Sequence, residues 1–440
     1  MLRFHIKKGS IKMKRTVSFI LCLVTLLSTM AIMAMPSAAI EEPVINNIGG
    51  ALVYNVENEK TVYKYKAEDK IFPTSTVKIM TGILAVEALG DRLEEKITVT
   101  NEMISRVSGN NIKLEAGDVV TVKDMIWTLL VNGANDSAYV LAYTVSGSVE
   151  KFVTRMNTRA KELGAIHTNY VNPTGMHDEN MYTTVEDTAI IARHAYTLPL
   201  FMECSSSMKY SMESFNHTVH NRNCLLTVYY DKNYFDSQAR GMNAGSTPQG
   251  GHSVVTTATN GELSYIIIVM GGQTVEGTIY SYTTASQLID WAFASFNYIE
   301  VLSPNQIICD IPVTLSSVTD MVNLVAEDTL NIYLPADVDP ETAIELSYVT
   351  YTEELQAPVT RGQVCGSVTA IYNGEILGTS DMITTADVAR SELLYTFYKI
   401  EQFSKSKFFI ATIVSAVIFT VIYIFGNAYL RARRPKRRRF

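Results

Sequence analysis

Residues 408–430 carry no charged side chain, and the run is about as long as a helix needs to cross a bilayer. Arg431, Arg433, Arg434, Lys436, Arg437, Arg438 and Arg439 follow at once. A basic cluster at the end of a span favours the cytoplasmic side. Residues 408–430 therefore read as a transmembrane helix and 431–440 as a short cytoplasmic tail, with the body of the chain on the other face. An amphipathic surface helix is the alternative, and the uniform apolarity of 408–425 argues against it. The other end fits the same topology. Residues 1–39 hold six Lys/Arg and no acid, with Lys12, Lys14 and Arg15 ahead of a mostly apolar stretch and Ser37-Ala38-Ala39 at its close. That is the pattern of a cleaved export signal, with an uncleaved anchor as the other reading. The two ends together predict an exported protein of the cell membrane.

The charge between these ends is one-sided. Of the 37 basic residues 22 lie in 40–404, against all 44 acidic ones. So acidic a body excludes nucleic acid as the expected partner. Cys204, Cys224, Cys309 and Cys365 match no metal spacing, and their expected role is that of small buried residues.

Two domains are expected in the body. Residues 40–298 mix periods. Thr61-Val62-Tyr63-Lys64-Tyr65-Lys66 alternates as a half-exposed strand. Residues 122–130, 137–144 and 282–296 are helical in pattern, and 263–270 is the short apolar run of a buried strand. Residues 299–392 instead carry short strands around Ile311-Pro312-Val313, Val322-Asn323-Leu324-Val325 and Thr369-Ala370-Ile371-Tyr372, with Asn373-Gly374 as a turn, which predicts a small all-β domain. Residues 393–407 read as a linker to the membrane helix.

The chemistry concentrates at Pro73-Thr74-Ser75-Thr76-Val77-Lys78, which opens an apolar helical run. Ser75 and Lys78, three apart, share a helical face. A serine hydroxyl needs a base to become a nucleophile, and a lysine becomes one where a water-poor site penalises its charged form. The helix start adds N–H groups that favour a developing oxyanion. Three further stretches stand out by order: Asn132-Gly133-Ala134-Asn135-Asp136 between two helical patterns, Asn221-Arg222-Asn223 before a strand-like run, and Gly241-Met242-Asn243-Ala244-Gly245-Ser246.

With these the chain resembles the penicillin-binding D-alanyl-D-alanine carboxypeptidases, low-molecular-mass serine peptidases that carry Ser-x-x-Lys, Ser-x-Asn and Lys-Thr-Gly in that order. Val171-Asn172-Pro173-Thr174-Gly175-Met176, Tyr182-Thr183-Thr184-Val185-Glu186-Asp187 and, near the C-terminus, Ala357-Pro358-Val359 with Gly362 and Gly366 are similar to further family signatures. The resemblance implies an α/β (α+β) fold: an antiparallel sheet flanked by helices, β-lactamase/transpeptidase-like, followed by the small β-domain. It implies Ser75 as nucleophile, Lys78 as its base and Asn135 as the group that bonds the substrate backbone and orients the lysine. Arg222, Asn243, Gly245 and Ser246 would border the substrate, with the backbone N–H groups of Ser75 and Ser246 as oxyanion hole. Peptidoglycan stem peptides are the implied substrate and β-lactams the implied covalent inhibitors, with no metal and no cofactor. Asn172, Pro173 and Gly175 read as turn and packing residues, and Asp187 as a helix-start residue.

The pattern is broken at two places. Gly133 stands where the family has the serine of Ser-x-Asn, and Asn243 and Ala244 replace the Lys and Thr of Lys-Thr-Gly. In the family that serine and that lysine bond each other, so both ends of one contact are gone, and paired loss leaves no orphaned group. A wall-binding pseudoenzyme, a cross-link endopeptidase and a β-lactam hydrolase are the readings these changes leave beside the carboxypeptidase.

Overall fold

The computed structural model describes residues 41–212, 214–304 and 306–432. The export signal read in 1–39, and residues 433–440 of the basic tail, lie outside the described residues. The chain divides into two compact units. One runs to Asn297 and takes in Pro335–Asp337, and the other comprises Tyr298–Leu334 and the chain from Val338 on.

In the first unit five antiparallel strands lie in the order Lys60–Tyr65, Gly50–Asn55, Ser264–Gly272, Gly251–Thr259, Ala239–Thr247. Gly50–Asn55 is buried at every position, and so are Tyr265 to Met270. A strand covered on both faces reads as a continuous apolar run, which is how 263–270 reads in the sequence. Lys60–Tyr65, at one edge, exposes most of its residues in part or in full. Ala239–Thr247 forms the other edge.

The helix Val77–Leu89 is the hub. Val77, Ile79, Met80, Ile83, Ala85 and Leu89 are fully buried, as expected of a helix that is apolar all round. Helices Asn135–Ser146 and Val185–Tyr196 pack on it. Gly82 permits the closest approach, since a Cβ there would crowd Leu130 and Phe201. Side-chain caps set the neighbouring helix starts. Thr121 Oγ1 accepts from the Asp124 N–H at 3.0 Å and Thr184 Oγ1 from that of Asp187 at 3.0 Å. The Asp187 carboxylate receives the His167 N–H (2.7 Å) and the Thr168 hydroxyl (2.6 Å), so it ties a helix start to the preceding loop, in keeping with its reading as a helix-start residue.

Two local expectations need correction. The helical pattern over 122–130 is an α-helix only for Val122–Trp127 and continues as a π-turn, Thr128–Asn132, ending at Gly133 with φ +69°. The run after Asn223 is not a strand but a series of turns. Asn221 Oδ1 accepts from the Asn223 N–H, Asn223 Oδ1 from Leu225, Thr227 Oγ1 from Tyr229 and Asp231 Oδ1 from Asn233. Each side chain bonds the backbone two residues on, which competes with a ladder and wins here.

The second unit carries a six-stranded sheet in the order Ile344–Thr350, Val364–Tyr372, Glu375–Thr384, Met321–Ala326, Ile307–Thr314, Leu355–Gln356, antiparallel except for the last pair. Leu302, Ile311, Leu324, Val368 and Met382 lie in its core. Asn373 and Gly374 both take positive φ (51° and 81°), the backbone a tight hairpin requires. The linker expected at 393–407 is instead largely helical. Glu392–Lys405 starts on Ser391, whose Oγ accepts from the Leu394 N–H at 3.4 Å, and Lys405 pairs with Glu401 one turn back. The helix Lys407–Ala432 follows, long and apolar enough to cross a membrane. Cys204, Cys224, Cys309 and Cys365 are free thiols, three of them buried.

Ile83→Ala, which empties a fully buried site on the hub helix, is expected to cost about 2–5 kcal/mol. Ile376→Ala, at a position 67% exposed, should stay within about 0.5 kcal/mol. Unfolding midpoints of the two variants check the contrast.

Candidate active site

Ser75 sits one step earlier in the structure than its helical spacing suggests. It lies in a 3-10 turn, Thr74–Thr76, and Lys78 lies in the first turn of the α-helix that begins at Val77. Residues three apart eclipse in a 3-10 turn, so the two side chains still meet, with Lys78 Nζ 3.5 Å from Ser75 Oγ. Thr74 takes φ +51°, a left-handed backbone that a β-branched residue adopts only when its surroundings impose it. The Thr76 N–H and hydroxyl both return to the Pro73 carbonyl, at 3.2 and 2.6 Å, and close the turn.

Lys78 is 2% exposed, and no acidic side chain among the described residues pairs with it. Its Nζ donates to the Thr174 carbonyl at 2.6 Å. Burial, and secondly the positive Arg222, bring its pKa down to about 7. A lysine in such a place is neutral in a large fraction of molecules at neutral pH and has a lone pair to offer Ser75.

The edge strand Ala239–Thr247 passes directly against the nucleophile. A Cβ on Gly245 would overlap Ser75 Oγ, so only glycine fits. Gly175, with φ +80°, is packed tighter still, since a Cβ there would overlap the Thr74 carbonyl. Asn135 begins the helix Asn135–Ser146, and its backbone N–H donates to the Asn110 carbonyl at 2.8 Å. Its Nδ2 donates to the Ser108 carbonyl at 2.5 Å, and its buried Oδ1 has no hydrogen-bond partner. Asn135 thus lines the site without bonding Lys78. The hydrogen bond that orients Lys78 is instead the one to the Thr174 carbonyl, while the Asn135 NH2 group is engaged by Ser108.

Gly133, Arg222, Gly245 and Ser246 border the same cleft of about 430 Å³ as Ser75, Lys78 and Asn135. A larger groove of about 1330 Å³ shares its rim at Ser246, Thr247, Pro248, Gln249 and His252. Arg222 is exposed, hangs on the turn-built wall by its N–H to the Val131 carbonyl (3.1 Å), and lies 4.7 Å over the Tyr230 ring. It has no carboxylate partner among the described residues, which leaves its charge free for an anion.

Asn243 is 4% exposed, with a buried Oδ1 that lacks a partner, and it does not line the cleft. A side chain on Gly133 would meet the Lys78 methylenes at 4.0 Å, with no atom of Asn243 inside that radius. The paired-loss expectation is therefore corrected. The two positions do not face each other across a Cβ contact, and the Asn243 oxygen is an orphan. Sequence reasoning missed Thr174 as a functional position. It acts through its carbonyl, so its residue type gave no sign, although the surrounding Val171-Asn172-Pro173-Thr174-Gly175-Met176 had stood out.

Solved structures place this architecture among the penicillin-binding proteins. Penicillin-binding protein 5 from Haemophilus influenzae matches with TM-score 0.57 at 25% identity, over 80% of this chain and 100% of that one. Penicillin-binding protein 6B from Escherichia coli shares the fold, with TM-score 0.58 at 20% identity over 78% and 96%. Among curated relatives, D-alanyl-D-alanine carboxypeptidase DacF of Bacillus subtilis is 25% identical over 355 residues, 79% of this chain and 87% of its own. The family described as D-alanyl-D-alanine carboxypeptidase matches residues 39–274, and the penicillin-binding protein 5 C-terminal domain matches 296–390. The chain belongs to the D-alanyl-D-alanine carboxypeptidase family and is a peptidase; the alternatives left by Gly133 and Asn243 are not favoured.

Gly245→Ala is expected to slow acylation of Ser75 by about 100-fold or more, because the methyl group displaces the nucleophile. Adduct formation with a β-lactam, followed by intact mass, measures it.

Proposed function

We propose that the chain removes the terminal D-Ala from peptidoglycan stem peptides through an acyl-ester on Ser75. The observation that carries this is a fully buried lysine, free of any carboxylate, 3.5 Å from a serine hydroxyl in a cleft. Neutral Lys78 takes the Ser75 proton as Oγ attacks the carbonyl of the penultimate D-Ala. Backbone N–H groups of Ser75 and Ser246 receive the oxyanion. As the tetrahedral species collapses, the C–N bond breaks and the departing D-Ala amine takes the proton from Lys78. Water then attacks the ester and Lys78 accepts its proton; as the C–Oγ bond breaks, Lys78 returns the proton to Oγ and Ser75 is regenerated. Arg222 supplies the positive charge for the terminal carboxylate, a task that Asn243, neutral and buried, does not perform.

The reading extends to location. The helix Lys407–Ala432 holds the chain in the membrane, with the arginines after residue 430 on the cytoplasmic side and the body of the chain before the helix outside, where the wall polymer is. Protease added to intact spheroplasts is expected to degrade the body and spare an epitope on the tail. Loss of the tail epitope would reverse the orientation.

Intact-mass analysis with a β-lactam and, separately, with a diacyl-D-Ala-D-Ala peptide tests the chemistry. The adduct should sit on Ser75 and vanish in Ser75→Ala. Lys78→Ala should slow it by about 100-fold or more, and Lys78→Arg should not rescue, because arginine stays protonated. The base must be neutral, so the acylation rate should rise with pH through about 7 and level off above it. A pH-independent rate across that range would remove Lys78 as the base.

A further inference from the structure

Lys78 has few hydrogen-bond partners. Gly133 offers it no hydroxyl, and the Asn135 amide is turned to Ser108. Besides Ser75, the recorded partner of its nitrogen is one peptide carbonyl, that of Thr174. What fixes this carbonyl fixes the lysine.

The Thr174–Gly175 peptide is a planar unit, with C=O and N–H pointing in opposite directions. Its N–H, on Gly175, donates to Asn172 Oδ1 at 2.8 Å, while its C=O receives Lys78 Nζ at 2.6 Å. The plane is pinned at both ends. Asn172 Oδ1 also accepts from the Thr174 N–H (3.1 Å) and hydroxyl (3.0 Å), and Asn172 Nδ2 donates to the Met176 carbonyl at 2.9 Å. One side chain therefore closes the whole 172–176 loop. The preceding carbonyl, Pro173, accepts from Thr81 Oγ1 at 2.7 Å, so the loop is also clamped to the hub helix one turn beyond Lys78.

We infer that Asn172 is a positioning residue for the reaction, aiming the Thr174 carbonyl at Lys78. The inference rests on the reading of Lys78 as the base. A neutral amine has two N–H bonds and one lone pair. With one N–H committed to Thr174, rotation about Cε–Nζ is restricted and the lone pair is kept on the side of Ser75. A carbonyl suits this better than a carboxylate would, because it orients the amine without holding the lysine protonated.

The test uses the full chain in detergent and ampicillin as acylating probe, with the second-order rate of Ser75 adduct formation followed against pH. Wild type and Ser75→Ala come first; absence of a Ser75 adduct there defeats the acyl-ester reading itself, apart from anything at Asn172. Asn172→Ala should lower the plateau by about 10- to 100-fold. It should also move the acid limb to lower pH, because a displaced carbonyl no longer stabilises the ammonium. Asn172→Asp keeps the three acceptor contacts and should recover most of the plateau rate, with its limb moved to higher pH by the added negative charge. Should the alanine variant not fold, Asn172→Gln, whose longer arm misplaces the same amide, takes its place with the same expected limb shift. A limb unmoved in the folded alanine or glutamine variant overturns the inference, whether the rate is unchanged or only scaled down with the active fraction.

Discussion

A lysine nitrogen held by a neutral carbonyl, on a side chain only 2% exposed, is the contact on which the site depends. Burial alone would let Lys78 lose its charge but would not aim it. A carboxylate partner would aim it and restore the charge. The Thr174 carbonyl aims it without that cost, and the architecture of the first unit supports this arrangement. Most of the Val77–Leu89 helix is buried, and Lys78 borders the cleft while staying 2% exposed. The edge strand brings Gly245 against the Ser75 side chain, and Gly175 lies against the Thr74 carbonyl just before it. Both positions are glycine because a methyl group at either would occupy space already taken.

The departures from the family pattern regroup once the contacts are known. Gly133 takes φ +69° at the end of a π-turn, a backbone that glycine adopts without strain and serine does not. Losing the hydroxyl and relaxing that turn are one change. Asn243 has kept a buried side chain but exchanged a cation for an amide whose oxygen finds no partner. The free positive charge of the cleft is now Arg222, on a loop rather than on the sheet. On the proposed reading the cation that meets the carboxylate lies on a wall of turns rather than on the sheet, while the nucleophile and its base sit on the buried Val77–Leu89 helix and the turn that opens it.

Much of this was legible in the residues. The buried strand over 263–270, the long apolar helix near the C-terminus and the Ser75–Lys78 pair announce themselves by apolar run length or by spacing, and each is recovered with small shifts at its ends. What the sequence hid has physical reasons. The 224–235 segment carries Val228, Tyr229 and Tyr230 and so looks like a strand, yet local bonds from Asn223, Thr227 and Asp231 hold it in turns. The helical continuation at 393–405 was masked by its position between two stronger signals. Thr174 was invisible because a main-chain carbonyl is common to every residue type. Asn172 was visible but was read as a turn former, which it is; that the turn holds the lysine's partner could be known only from the fold.

The turn-built wall around Arg222 has a consequence for how such an enzyme changes over time. Four of its hydrogen bonds run between residues two apart and set much of its shape locally, while the Arg222 N–H to the Val131 carbonyl ties it to the π-turn. Exchanges at its exposed positions would leave the hub helix intact while relocating Arg222, a cation of the cleft with no carboxylate partner among the described residues. Preference among chain termini could therefore drift rapidly between related lineages, while the serine and its lysine stay fixed in an interior that tolerates almost no revision.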